Sequence, residues 1–192
     1  IWHNNTLKIN TLLLATVITF SMNNDIISPI FAKEVLNRGS EAYSMLMSTT
    51  GLGAFLGAIY MSYRSIHGIN KKLYLLSIFF MTGIQISLFF IRNYAYALMA
   101  TLVIGFYMIV FLNMGNSIFQ IVADAKYRGR VMSVYSFLNG GSATVGSLYA
   151  GVVMEHLGGA YGWPGCGTMA LFILGIVFLV YRPIFISWYS KQ

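Results

Sequence analysis

Apolar residues run along this chain in long, nearly unbroken blocks separated by short polar clusters. A bilayer core about 30 Å thick takes about 20 apolar residues in a helix. The blocks predict six such helices, at roughly 8–31, 42–63, 73–91, 95–122, 131–154 and 165–181. The connections are short, so successive helices are expected as antiparallel neighbours. Gly68, between Arg64 and Lys72, predicts a tight turn at one end of the bundle. Gly158-Gly159 predicts one at the other end.

The polar positions inside the blocks recur in a repeated order. The first block carries Asn23, Asn24 and Asp25; the fourth carries Asn113, Asn116 and Gln120. The second carries Gly51, Gly53 and Gly57; the fifth carries Gly140, Gly141, Gly146 and Gly151. The third is almost uniformly greasy, and the sixth is greasy again. Two units follow, about 8–91 and 95–181, and with three spans each the second must be inverted. Inverted repeats of this kind mark transporters, with the binding region at the repeat interface. Asp25 lies about 17 residues into its helix, roughly 26 Å at the helical rise, and Asn113 about 18 residues into one of opposite direction.

Composition agrees with a polytopic, all-α membrane protein. Some 57% of the 192 residues are hydrophobic and 9% are charged, where soluble domains carry about 25%. The net charge of +7 sits in short loops, so it reads as a topology signal and not as a nucleic-acid surface. The most cationic turn is Lys126-Tyr127-Arg128-Gly129-Arg130, and the positive-inside bias places it in the cytoplasm. Lys8, Arg64, Lys71, Lys72, Lys126, Arg128, Arg130, Arg182 and Lys191 then fall inside, nine of the twelve basic residues. Lys33, Arg38 and Arg92 fall outside, and both termini are expected in the cytoplasm of a bacterium with this chain in its inner membrane. The first residue is Ile1, which leads us to expect a piece of a longer protein. The first apolar block is too long for a signal peptide. A single cysteine, Cys166, excludes an internal disulfide or a multi-cysteine metal site. There is no HExxH, GxSxG or GxxxxGK[ST], and Gly51-Leu52-Gly53 with Gly57 has the wrong spacing and setting for a phosphate loop. No enzyme, cofactor or metal is expected.

Asp25 is the one acid placed inside a span. An ionised carboxylate costs about 2.5–3.5 kcal/mol at a helix centre and less near the interface. It is either a protonatable coupling site, a partner for a cationic substrate, or an outer-edge residue that snorkels to water beside Pro29. Asn23, Asn24, Asn113, Asn116 and Gln120 either line an aqueous cavity or form interhelical hydrogen bonds. Asn113, Asn116 and Gln120 share one helical face, beside Tyr107 and Phe111. Ser136, Gly140, Ala143, Ser147 and Gly151 make a stripe of small side chains, as do Gly51 and Gly57 with Ala54 and Ala58. Such stripes let backbones approach, within these six helices or against a second bundle that slides on them. Asp124, Arg128 and Arg130 form ion pairs of a cytoplasmic gate, or act as topology determinants. His67 and His156 are read as solvated. Trp2, Trp163 and Trp188 are read as aromatic anchors at the interfaces. Asn4-Asn5-Thr6 fits a glycosylation sequon but falls inside.

Several of these residues also form a recognisable series. It comprises Asn116 and Gln120 ahead of Asp124, the run Arg128-Gly129-Arg130-Val131-Met132-Ser133, and Gly146-Ser147 with Gly151. With them go Pro29-Ile30-Phe31-Ala32-Lys33-Glu34-Val35-Leu36 and Gly51-Leu52-Gly53-Ala54 with Gly57. In these the chain resembles, over nearly its whole length, the C-terminal half of a major facilitator superfamily transporter, in the branch of the enterobactin and macrolide exporters. The resemblance implies helices seven to twelve of twelve. The first and fourth of them line the cavity, the second and fifth meet the other half, and the third and sixth face lipid. Two positions depart from the pattern: Ser62 stands where an acid is usual before Arg64, and Thr144-Val145 where the branch often has a proline. The implied partners are the bilayer, an N-terminal six-helix half and a small-molecule substrate. The expected function is efflux of an amphipathic small molecule by alternating access, with proton antiport and Asp25 as carrier. A non-transporting multi-pass scaffold or accessory subunit is the alternative.

Overall fold

Asparagines open three of the helices. Asn4 Oδ1 accepts from the N–H groups of Thr6 and Leu7, Asn70 Oδ1 from Leu73, and Asn93 Oδ1 from Ala95 and Tyr96. Each satisfies donors that a helix start leaves without a partner. Asn4 is thus a cap, whatever its sequon suggests. In this computed structural model, residues 4–64, 68–90 and 93–190 are described. The α-helices are α1 Asn5–Ser21, α2 Asn24–Glu34, α3 Ser40–Arg64 and α4 Lys71–Ser87, then α5 Tyr94–Val122, α6 Arg128–Leu157, α7 Gly162–Val180 and α8 Arg182–Ser190. Short 3-10 turns, Ala125–Tyr127 and Gly159–Tyr161, precede α6 and α7. The fold is all-helical among the described residues.

Among the described residues, three helical stretches are long and apolar enough to cross a membrane: Ser40–Arg64, Tyr94–Val122 and Gly159–Val180. The other three expected spans look different. α4 has 17 residues, just short of a bilayer core. α6 has 30 residues, but its glycines and serines dilute its hydropathy. The stretch expected as one helix over 8–31 is two, α1 and α2, interrupted at Met22 and Asn23. Pro29 lies well inside α2 and does not cause the break. The carbonyls freed there are taken up by side chains. Asn23 Nδ2 donates to Thr19 O at 2.8 Å, and Gln85 Nε2 of α4 donates to Ser21 O at 2.8 Å. Broken backbone survives at membrane depth only when neighbours satisfy it in this way. Asn23 Oδ1, Gln85 Oε1, Ser21 Oγ and Ser28 Oγ are buried without a hydrogen-bond partner among the described residues. The break is therefore costlier than continuous helix would be.

Sequential helices are not the tightest neighbours. α3 packs along α5, and α1 along α6. Exchanging α1 with α5, α3 with α6 and α4 with α7 maps the first pair onto the second. It also maps the α4–α5 contact onto α1–α7. Glycine makes both close pairings. A Cβ at Gly53 would collide with Leu102 O, one at Gly105 with Thr50 O, and one at Gly146 with Thr19 O.

The ends of the bundle sort cleanly. At one end Lys8 Nζ lies over the Tyr181 ring and Lys71 Nζ donates to Trp188 O. Arg64 and Ile121 border one cavity there, so the Arg128 turn lies at the same end as Arg64. At the other end the Glu34 carboxylate accepts from Gly159 N–H at 2.9 Å, and Arg38 lies over the Tyr94 ring.

The core holds a polar link that the pattern of blocks did not single out. Asn10 Oδ1 accepts from the Tyr74 hydroxyl and Asn10 Nδ2 donates to Gly115 O, each at 2.9 Å. Both side chains are fully buried, and Tyr74 stacks on Phe111 at 4.9 Å. One amide thus ties α1 to α4 and α5. Tyr74→Phe keeps the ring stack but strips Asn10 Oδ1 of its donor. It is expected to lower stability by about 1 kcal/mol, read as a lower melting temperature in detergent.

Candidate functional site

Asp25 stands in the first turn of α2, exposed, where the positive end of the helix dipole favours an anion. It borders a cavity of about 240 Å³ with Met22, Met47, Gly51, Ala54 and Met108. A second cavity, of about 300 Å³, is lined by Ala58, Ser62, Arg64, Asn113 and Ser117. Gly51, Ala54, Ala58 and Ser62 recur at three- and four-residue spacing, so they form one stripe of α3. The two cavities are successive sections of one groove along that stripe, roughly 16 Å from Gly51 to Ser62 at the helical rise. An acid stands at one end and a base at the other. Small residues and methionines from α3 and α5 lie between them.

The amides divide into two groups. Asn113 and Gln120 are exposed on α5 and Asn116 is half-buried. Asn113 Nδ2 donates to Ile109 O, and Gln120 Nε2 to Asn116 Oδ1, each at 2.9 Å. Asn113 Oδ1, Asn116 Nδ2 and Gln120 Oε1 have no hydrogen bond among the described residues, so each can meet a solute. Asn23 and Asn24 are buried instead. Asn23 holds the helix break, and its Nδ2 lies 4.0 Å from Cys166 Sγ. Asn24 Oδ1 accepts from the Trp163 indole N–H at 2.9 Å. Asn23 is given over to bonding at the break, whereas Asn24 both bonds to Trp163 and borders the Asp25 cavity. Trp163 is fully buried, edge-on to Phe31 at 4.8 Å, and Trp188 is buried too. Neither is the exposed interfacial anchor that its position suggested.

The small-residue stripes also divide. Gly57 meets the Phe106 backbone: a Cβ there would lie 2.7 Å from Phe106 O. Around Gly51, Gly140 and Gly151 nothing lies within 4 Å of that position. Their lack of side chains is not used to pack these helices together. Ser136 is exposed, and Ala143 and Ser147 are half-buried. The glycines that bring α1 to α6 and α3 to α5 are Gly146, Gly53, Gly57 and Gly105.

At the basic end, Asp124, Arg128 and Arg130 are all exposed. Among the described residues none of the three forms an ion pair. Arg130 and Lys126 sit instead over the Tyr127 ring, at 5.8 and 5.7 Å. The expected gate pairs are therefore absent within this set of helices. The reason is spacing: α6 starts at Arg128, and its first turn carries both arginines out into solvent. His156 is exposed beside Glu155. Trp2, His67, Arg92 and Lys191 lie outside the described residues.

Reading by blocks missed Arg64, Ser117 and the two methionines as groove residues. Ser117 was accessible to it, standing four positions after Asn113 on the same face. Arg64 was counted as a loop charge and a family-pattern position, although its Nε is buried without a hydrogen-bond partner among the described residues. No signal in the sequence marks Met47 and Met108, because methionine in an apolar block reads as core.

Comparison with known proteins agrees with this geometry at the level of family. A family model described as transmembrane secretion effector matches residues 2–185. No curated protein and no solved structure matches the chain.

Proposed function

We infer the function from one premise: this chain belongs to the transmembrane secretion effector family, a major facilitator type of membrane transporter. On that premise it exports an amphipathic small molecule across a bacterial inner membrane, by alternating access with proton antiport. The groove along α3 supports this reading most directly. It offers a carboxylate at Asp25, an amide at Asn113, and an apolar floor of alanine and methionine, with Asn116 and Gln120 further along α5. Such a surface suits a solute with one polar end and one greasy end. Two inverted units, about 8–91 and 95–181, are supported by the exchange of helix contacts described above.

The open positions at Gly51, Gly140 and Gly151 support a second six-helix bundle closing over this groove. Asp124, Arg128 and Arg130 then find their gate partners on that bundle, and the Lys126 turn and both termini lie in the cytoplasm. Alternating access is the rocking of one bundle on the other.

Transport is tested by accumulation of a panel of amphipathic dyes and antibiotics, in cells with and without the intact protein. Lower accumulation of at least one compound, reversed when the proton gradient is collapsed, is the expected result. Equal accumulation across the panel would leave the scaffold reading in its place. The groove is tested by thiol labelling. Asn113→Cys is expected to react fully with a water-soluble maleimide, while Met114→Cys next to it and the buried Cys166 stay unlabelled. Equal labelling at 113 and 114 would show that α5 presents no particular face to water.

A further inference from the structure

α8 is a short helix, Arg182–Ser190, that the block pattern did not predict. Two lysines from elsewhere hold it on the bundle. Lys8 of α1 lies over Tyr181 at 4.6 Å, and Lys71 of α4 lies over Trp188 and donates to its carbonyl. Phe185 of α8 packs on Phe178 of α7 at 5.2 Å and on Trp188 at 5.4 Å. Between α4, α7 and α8 runs a groove of about 400 Å³, walled by Leu75, Phe79, Leu174, Gly175, Phe178 and Phe185. Among the described residues, every one that lines it is apolar. It opens on the outside of the bundle, where Phe79, Phe172 and Phe178 are exposed. That is the opposite role from the α3 groove, which carries polar groups.

Two cations stand in helical register with residues that wall this groove, one on α4 and one on α8. Lys72 stands three residues before Leu75 and seven before Phe79, so all three share one face of α4. Arg182 opens α8 between Phe178 and Phe185. Both are exposed. None of the helices around the groove, α1, α4, α7 or α8, contains an aspartate or glutamate. An apolar trough flanked by uncompensated positive charge fits one kind of molecule, an alkyl chain with an anionic head.

We propose that this corner is a binding site for an anionic phospholipid. One acyl chain lies in the groove and the headgroup phosphate lies against Lys72 and Arg182. The lipid holds α8 at the membrane surface, together with Lys8 and Lys71. The site does not depend on the transport reading. It requires only that α4 and α7 face lipid.

The test is native mass spectrometry of the intact protein, released from micelles holding equal amounts of phosphatidylglycerol and phosphatidylcholine. The expected spectrum shows one retained lipid with phosphatidylglycerol strongly preferred. Lys72→Gln and Arg182→Gln are each expected to reduce that preference about fivefold, from the attraction of one surface cation for an anionic lipid. Lys72→Arg and Arg182→Lys keep the charge and are expected to keep the preference. Gly175→Leu fills the trough, and nothing within 4 Å opposes a side chain there. It is expected to remove the retained lipid while leaving the melting temperature of lipid-free protein unchanged. Equal retention of both lipids by the unmodified protein would overturn the proposal. So would a preference that survives the double Lys72→Gln, Arg182→Gln change. Lipid retention indifferent to Gly175→Leu would also overturn it, because the charges would then act on the bilayer surface without the groove.

Discussion

Gly146→Ala is expected to destabilise this protein by about 3 kcal/mol or more, at or beyond the upper range for overpacking a tight core. A methyl group there would collide with the carbonyl of Thr19 and would lie 2.8 Å from Asn23 Nδ2. Backbone cannot rotate away as a side chain can, so α1 and α6 must separate along their whole contact. The damage also reaches the helix break, because Thr19 O is the carbonyl that Asn23 satisfies. The control is Gly140→Ala on the same helix. Nothing lies within 4 Å of its Cβ position, and alanine is the better helix former by up to about 1 kcal/mol. Gly140→Ala should therefore match or exceed the unmodified melting temperature in detergent, while Gly146→Ala melts far lower or elutes as aggregate. Equal melting temperatures for the two variants would mean that α1 and α6 do not meet at Gly146.

Asp25→Asn is expected to reduce proton-driven efflux to the background of cells lacking the protein, with its abundance in the membrane unchanged. The reasoning is a contrast between cost and use. A carboxylate at membrane depth is expensive, by about 2.5–3.5 kcal/mol at a helix centre. Asp25 is nonetheless exposed, and it makes no hydrogen bond among the described residues. The fold gains little from it, so its removal should leave folding intact and strike only function. Asp25→Glu keeps the ionisable group and is expected to retain part of the activity. Substrate charge separates the two roles open to it. A proton carrier is needed for every substrate, whereas a cation partner is needed only for cationic ones. Efflux unchanged in Asp25→Asn for all substrates would remove both roles.

How far each feature could be read depended on the separation between cause and effect. α3 and α5 were legible because one continuous apolar run sets both their length and their depth. Asn113, Asn116 and Gln120 were legible as a shared face because helical periodicity is local. The break after Ser21 was not, because Asn23, Asn24 and Asp25 in succession fit a polar lining of one continuous helix as well as they fit an interruption. The donor that stabilises it is Gln85, on a different helix. α8 was not legible for the same reason: Lys8 and Lys71, far away in the chain, hold it in place. The bonding of Asn24 was decided by Trp163, far along the chain, and an amide beside an acid in sequence gives no hint of that partner.

By itself the sequence determined that this protein is helical, membrane-embedded and sidedly charged. It also determined that polar, glycine-rich and greasy segments come twice in the same order. Those properties follow from what each residue costs in lipid, and that cost depends on the residue alone. Only the tertiary structure decided which glycines touch and which stay open, and which amides face the groove. It also decided that α3 lies against α5 and not α4. Those outcomes depend on pairs of residues brought together from distant positions. A single chain of side chains, read in order, does not specify them until the helices have packed.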